Sequence, residues 1–480
     1  MKKLFATEDW WAVWLGLVIV VLALPVAFGT DLLGWVVKTN VWLDPAKAFT
    51  AASKTYAEIP GLVSLFLTYL VMTALLGMGS FVMRFSLKRF LAGFGVIFWI
   101  SAVCWFVGHY AYIAQTPDKL EATGIGWSLG LTGEAGFIVA LLAGLAIGNL
   151  SPRLTLWLKE ACRPEWYIKT AIVILGASLG IKAAGATGLM TTIMLRGLAA
   201  IIEAYLVYWA VVYFVARKYF KFSREWAVPL ASGISICGVS AAIATGAAIR
   251  ARPVVPIMVS SLVVVFAVVE LIILPFAAQT FLSHEPMVAA AWMGLAVKTD
   301  GAAVASGAIT DALIRAKAAG YGVNWEPGWM LTTTTTIKIF IDVFIGFWAL
   351  ILAIVWVYAI DKKPGEKVQL KDIGQRFPKF VFGYFLLFLL TFAVALAWPQ
   401  AISGLKDATG EADVFRGLFF VVTFFTIGLS ANFKKLWAEG IGRLALVYVI
   451  CLFGFIIWVG LGISWLFFHG VFPPLVNGGS

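Results

Sequence analysis

Charge is what this chain has least of. Only 13% of its 480 residues are Asp, Glu, Lys or Arg, while 61% are hydrophobic; an ordinary soluble domain carries about 25% charged residues. A mean hydropathy of +0.94 arises from many long apolar runs, which excludes secreted, fibrous and disordered classes. Cysteine is scarce and scattered as Cys104, Cys162, Cys237 and Cys451. Without a CxxC pair, neither a disulfide framework nor a thiolate metal site is expected. Three isolated histidines, His109, His284 and His469, are too few for paired haem ligands or a histidine zinc site, so no metal and no cofactor is expected. No GxxxxGK[ST] run occurs, so ATP is not the direct energy source within the chain. The net charge of +11 sits mostly in short loops, where it reports orientation in a lipid bilayer and argues against a nucleic-acid partner.

What remains is all-α: a polytopic transmembrane helical bundle. A span needs about 20 apolar residues, and that length predicts thirteen spans: 10–29, 60–83, 91–115, 135–150, 168–182, 189–216, 226–249, 254–282, 288–311, 331–358, 380–400, 414–432 and 441–469. The first follows Lys2 and Lys3 and is read as a retained helix with a cytoplasmic N-terminus. In that orientation 21 loop Lys and Arg fall inside against 10 outside, as the positive-inside rule asks. Arg250 and Arg252 fit poorly outside, so the segment before them is expected to be re-entrant or broken. Residues 31–59 read as an external interfacial segment and 361–379 as a basic cytoplasmic linker. The expected division is a three-span N-terminal extension, 1–134, then membrane repeats at 135–282 and 283–480, with the linker in the second.

Ionisable groups near the bilayer centre are costly and therefore functional candidates. Six occupy the middle of proposed spans: Glu203, Glu270, Lys298, Asp300, Lys338 and Asp342. Lys338 and Asp342 share a helix face and can neutralise each other. Lys298 and Asp300 lie about 200° apart on a regular helix and pair only if the backbone unwinds; the small, Gly-flanked run 297–307 permits that. Glu203 leans towards a structural neutral acid, whereas Glu270 is open between structure and ion coupling. The run 232–242 interrupts an apolar stretch with Gly233, Gly238 and small polar residues. A break there would aim free amides of Cys237, Gly238, Val239 and Ser240 at an anion, while the bland reading is a small-residue packing seam. A weaker second interruption includes Gly428, Ser430 and Asn432. Thr332–Thr336 either line a polar path or bond back to the i−4 carbonyl.

The run Ile236-Cys237-Gly238-Val239-Ser240-Ala241-Ala242 resembles the CGxSA motif of the YeiH-like family of sulfate exporters. Weaker matches follow in family order at 142–149, 174–179, the Lys338 helix and Gly428-Leu429-Ser430 with Lys434 and Lys435. The resemblance covers residue 135 onward. It implies similarity to bile-acid-symporter-like transporters, with two inverted five-helix repeats and crossing broken helices. One departure is that Lys298, Thr299 and Asp300 stand where that family has a His-Asp or His-Glu pair.

The expected function is a secondary active transporter, an exporter in a prokaryotic inner membrane, of a small anion such as sulfate or an organosulfonate. It would work by alternating access, with H+ or Na+ as the coupling ion. Substrate would meet Cys237, Gly238, Val239, Ser240, Lys298 and Lys338; Asp300, Asp342 and Glu270 would couple the ion. A cation/proton antiporter centred on Asp300 and Lys298 is the alternative. An intramembrane enzyme using Cys237, Ser240 and His109 is a distant one, and no catalytic role is expected. Homo-oligomerisation is left open.

Overall fold

The computed structural model describes residues 7–476 except 117–118, 130, 132, 134, 253, 361–377 and 432–441. The main helices are α1 (Glu8–Ala23), α2 (Gly61–Val82), α3 (Leu87–Gly108), α4 (Ala135–Leu150), α5 (Pro152–Leu158), α6 (Pro164–Gly185) and α7 (Thr187–Lys218). They continue as α8 (Arg224–Ser235), α9 (Gly238–Ala248), α10 (Val254–Phe281), α11 (Pro286–Ala296), α12 (Asp300–Ala319), α13 (Trp329–Ile360), α14 (Phe380–Ala397), α15 (Ile402–Ser430) and α16 (Gly442–Phe468). Residues 31–59 hold a small antiparallel hairpin, β1 (Val37–Thr39) and β2 (Phe49–Ala51), with Val37 opposite Ala51.

Ten described helices are long and apolar enough to cross a membrane, or eleven if α4 and α5, bent by 114°, count as one span. The expectation of thirteen is corrected at 226–249 and 288–311. Each of those stretches is divided between two helices, α8 and α9 in the first and α11 and the 20-residue α12 in the second, and the chain reverses between them. Gly233 and Ala242 would lie about 13 Å apart on a straight helix; here a Cβ on Gly233 would sit 3.5 Å from the Ala242 Cβ. The outer ends of α8 and α9 meet as well, because Arg252 donates to Glu225 at 3.0 Å. Likewise Gly294 and Gly307 both pack on Thr334: a Cβ on the first would lie 3.0 Å from the Thr334 oxygen, and on the second 2.7 Å from the Thr334 Cβ. Thus α8–α9 and α11–α12 are helical hairpins rather than straight spans.

The described chain falls into two compact units that interleave in sequence rather than follow one another. One comprises residues 1–190, 315–323 and 379–430; the other comprises 191–314, 324–378 and 431–480. These bounds do not coincide with the division at 134 and 282.

In the first unit α6 packs on α1, α14 and α15, and α4 packs on α15. Glycines set that spacing. A Cβ on Gly144 would lie 2.1 Å from the Phe425 oxygen, and one on Gly428 2.2 Å from the Leu141 oxygen. Small residues let membrane helices approach backbone to backbone. Helix α15 is continuous through Gly428 and ends at Ser430, so the interruption expected over Gly428, Ser430 and Asn432 does not begin at Gly428. Ser430 bonds back to the Thr426 carbonyl at 2.8 Å; Asn432 lies outside the described residues.

In the second unit α10 is the central rod. Its 28 residues span about 42 Å. The first hairpin starts and ends beside the N-terminal end of α10, where Val255 donates to the Arg252 carbonyl. The second hairpin is rooted at the other end, where Gln279 donates to the Leu313 carbonyl. The two hairpins thus enter from opposite ends of α10.

Candidate functional site

The hairpin tips meet at mid-height of α10. At the first tip Ile236 and Cys237 leave helical geometry, Cys237 being extended at φ −143°, ψ 120°. At the second, Val297 is extended at φ −80°, ψ 127°, and Thr299 caps α12 by accepting from the Ala302 amide at 3.1 Å. A capping hydroxyl stabilises a helix start that would otherwise leave amides bare. The tips are bonded to each other: the Gly238 N–H donates to the Lys298 carbonyl at 2.8 Å. No side chain fits at Gly238, where a Cβ would lie 2.3 Å from Val263 Cγ1 of α10. Irregular backbone at membrane depth survives only when buried in protein and hydrogen-bonded. Both tips meet that condition.

Lysine and carboxylate side chains from neighbouring elements complete the bonding. Lys338, on α13, donates from Nζ to the Ile236 carbonyl at 2.7 Å and to the Lys298 carbonyl at 3.2 Å, and lies 3.8 Å from Asp300 Oδ1. A single ammonium therefore joins one carbonyl from each tip to the first carboxylate of α12. Lys338 is 2% exposed and Asp300 3%, so this charge pair is strengthened by low dielectric and costly to break. The Cys237 thiol donates to Asp300 Oδ1 at 2.8 Å. Glu270, on α10, accepts the Lys298 N–H at 3.0 Å and the Tyr448 hydroxyl at 2.7 Å. The Lys298 ammonium donates to the Leu295 carbonyl and lies 4.6 Å from the centre of the Tyr208 ring, a cation–π contact.

The structure thus assembles Cys237, Gly238, Lys298, Asp300, Lys338 and Glu270, drawn from segments up to 102 residues apart. Asp342 joins them: the Cys237 sulfur and one oxygen each of Asp300 and Asp342 lie within 4.8 Å of one another. Thiol and carboxylates are metal-ligand types. Here the Lys338 ammonium supplies the positive charge beside Asp300, and the thiol spends its proton on it. Val239 and Ser240 form the half-exposed first turn of α9.

Lys298 and Asp300 do not pair directly; the unwound tip sends one to Leu295 and Tyr208 and the other to Lys338. Tyr208 and Tyr448 were not singled out from sequence, and Thr299 only as part of the departure from the family pair, not as a cap. Only Thr299, directly before a small-residue helix, carried a local signal, that of an N-cap. Among the threonines, Thr332, Thr333 and Thr335 bond back to carbonyls four residues earlier, while Thr334 donates to the Ala290 carbonyl at 2.7 Å. They pack α13 on the second hairpin. Glu203 is buried at the edge of this network, beside Tyr208, with neither carboxylate oxygen in a hydrogen bond among the described residues.

A family model described as conserved hypothetical protein 698 matches residues 131–448. A UPF0324 membrane protein of Nitrosomonas europaea is 42% identical over 475 residues, 98% of this chain and 97% of that protein. The match therefore takes in the first three spans as well. A UPF0324 membrane protein of Rhodopirellula baltica is 28% identical over 462 residues, 94% of this chain and 75% of that protein. One of Streptococcus agalactiae is 25% identical over 376 residues, 77% of this chain and 96% of that protein. No solved structure matches.

Proposed function

The chain belongs to the UPF0324 family of membrane proteins, and from its many apolar helices and buried mid-depth charges we propose that it is a secondary active transporter of a small anion. Sulfate or an organosulfonate, favoured by the CGxSA-like run at Cys237, is the substrate class, and H+ or Na+ the coupling ion. The observation that carries this reading is the tip-to-tip meeting of two hairpins rooted at opposite ends of α10. Such an arrangement places a polar site at mid-depth with one hairpin between it and each side of the membrane. That is what alternating access requires. The half-exposed first turn of α9 offers amides of Val239 and Ser240 to an anion, and Lys338 stands behind it.

The hairpin geometry also serves the orientation. Arg250 and Arg252 return to the end from which Arg224 departs, so all three belong to one face. The basic-loop bias then favours a cytoplasmic N-terminus in a prokaryotic inner membrane.

A cation/proton antiporter is the second reading, because Asp300, Asp342, Cys237 and two tip carbonyls surround an ammonium, a donor set suited to cations. An enzyme is disfavoured: Cys237 has a carboxylate beside its sulfur and no histidine in that network. The discriminating experiment is radiolabelled sulfate uptake and counterflow in proteoliposomes under imposed pH and Na+ gradients, with Lys298→Ala and Asp300→Asn alongside wild type. Gradient-driven sulfate flux lost in both variants is the expected result. Proton–Na+ exchange without sulfate movement would replace this reading with the antiporter.

A further inference from the structure

Glu203 opens a π-helical turn, Glu203–Tyr208, inside α7, and widened turns of this kind recur at functional positions. It is 1% exposed, and neither carboxylate oxygen has a hydrogen-bond partner among the described residues. The Tyr208 hydroxyl stands beside that carboxylate, close enough to interact with it, but its hydrogen bond goes to the Ile456 carbonyl at 3.0 Å. Ile456 in turn closes a second π-helical turn, Leu452–Ile456, within α16. The Glu203 carboxylate, the Tyr208 hydroxyl and Leu295 converge where Gly460 has no side chain. A Cβ there would lie 2.7 Å from the Tyr208 oxygen, 3.5 Å from the Leu295 Cβ and 3.7 Å from Glu203 Oε1. Leu295 is the residue whose carbonyl holds the Lys298 ammonium, and that ammonium rests on the Tyr208 ring. An ammonium and a carboxylate without a hydrogen-bond partner therefore flank one tyrosine, within electrostatic reach of each other.

A buried carboxyl is relieved in two ways, by a proton or by a cation. We propose that Glu203 and Lys298 are a proton-exchange pair. With Glu203 protonated, Lys298 stays on the Leu295 carbonyl. When Glu203 releases its proton to water, the carboxylate draws the Lys298 ammonium onto itself and frees that carbonyl, three residues before the second tip. One proton leaves, only hydrogen bonds change partners, and the net charge of the pair falls from +1 to 0. Tyr208 on its own turn and Lys298 on the second hairpin are the titratable groups that face Glu203. Around Lys298, Glu270 is engaged by the Lys298 amide and Tyr448, Lys338 by the tip carbonyls, and Asp300 by Lys338 and Cys237, with Asp342 beside them; α16 presents Gly460, which carries no charge. The use of this exchange, to make opening of the second hairpin proton-dependent, rests on the transporter reading; the exchange itself does not.

Dicyclohexylcarbodiimide tests it on the full chain in detergent micelles. The O–H of a protonated carboxyl adds across a carbodiimide C=N bond, the adduct rearranges to a stable N-acylurea, and mass spectrometry reads the Glu203 peptide. Wild-type labelling is expected to fall at least about tenfold between pH 6 and pH 9. In Lys298→Met it should persist at pH 9, within about threefold of the pH 6 value, because no ammonium holds the carboxylate ionised; Lys298→Arg, which keeps a cation, should restore the fall. Glu203 labelling that is absent at every pH, that does not change with pH in wild type, or that falls equally in Lys298→Met would overturn the pair. Sulfate flux is scored separately: its absence with the labelling pattern intact counts against the transporter reading alone, whereas flux whose pH dependence survives Glu203→Gln removes the pair from the transport cycle.

Discussion

The two units use polar and small residues in opposite ways. In the first, the ion pairs that join α1 to α6 and the turn before it sit near helix ends and are partly exposed: Lys169 bonds Asp9 at 2.9 Å and Arg163 bonds Glu8 at 3.3 Å. The helix interiors there are joined by glycines against backbone, as at Gly144 and Gly428. In the second, a cluster of charges lies at mid-height, nearly inaccessible, and is bonded to backbone that has left the helix. Charges at helix ends anchor spans at modest cost, because water shares their solvation. Charges at the tips carry the full desolvation cost and persist because they satisfy carbonyls and amides that the hairpins expose. A lysine or glycine is thus not a functional sign by itself; the state of the backbone beside it is.

That contrast breaks most visibly at Lys338. Lys338→Met leaves Asp300 and two tip carbonyls without their donor, a loss of about 3–5 kcal/mol, read as a large drop in thermal midpoint in detergent. Adding Asp300→Asn should recover part of it, since no unmatched carboxylate remains. Failure of the double variant to recover would mean that Lys338 acts by shape rather than by charge.

In the first unit the sharper test is steric. Gly144→Ala places a methyl 2.1 Å from a carbonyl oxygen and should cost about 1–3 kcal/mol. Gly410→Ala, on α15, the helix against which α4 packs, but with nothing within 4 Å of the new Cβ, should be neutral or stabilising by up to about 1 kcal/mol. Equal losses would show that the seam is not set by glycine.

Tyr448→Phe removes one hydrogen bond to Glu270 while leaving the Lys298 amide in place, and should cost about 1–2 kcal/mol. Its diagnostic readout is amide exchange at the second tip, expected to quicken.

The smallest effect belongs to the Glu225–Arg252 pair at the mouth of the first hairpin. Hydrogen bonds from Arg252 hold the Glu225 carboxyl below its ordinary value. A depressed carboxyl contributes stability above its unfolded-state value and loses it as pH falls through the folded one. Arg252→Ala should therefore differ from wild type only slightly near neutrality, and not at all once the pH drops below the carboxylate range.

Much of this was legible in the chain. The helical membrane class follows from composition, and the unwinding near Gly238 and Lys298 from small residues and glycine around charges. The misfit of Arg250 and Arg252 pointed to a re-entrant or broken segment, and the chain does break between α8 and α9. The second hairpin was not legible as such, because 288–311 has the length and apolarity of a span and its reversal depends on packing against Thr334. Gly428 was ambiguous for a related reason: a glycine in an apolar run marks a break or a close approach, and only the partner helix, here α4 at Leu141, distinguishes them.

By itself the sequence determined that this is a polytopic helical membrane protein with ionisable groups at mid-depth, because hydropathy and run length are local properties that the bilayer reads one segment at a time. The tertiary structure alone decided which runs cross and which turn back. It also decided that Lys338 serves two tips at once, and that Glu203 is left beside Tyr208 and Lys298. Those outcomes depend on contacts between residues tens to hundreds of positions apart, and no local pattern encodes them.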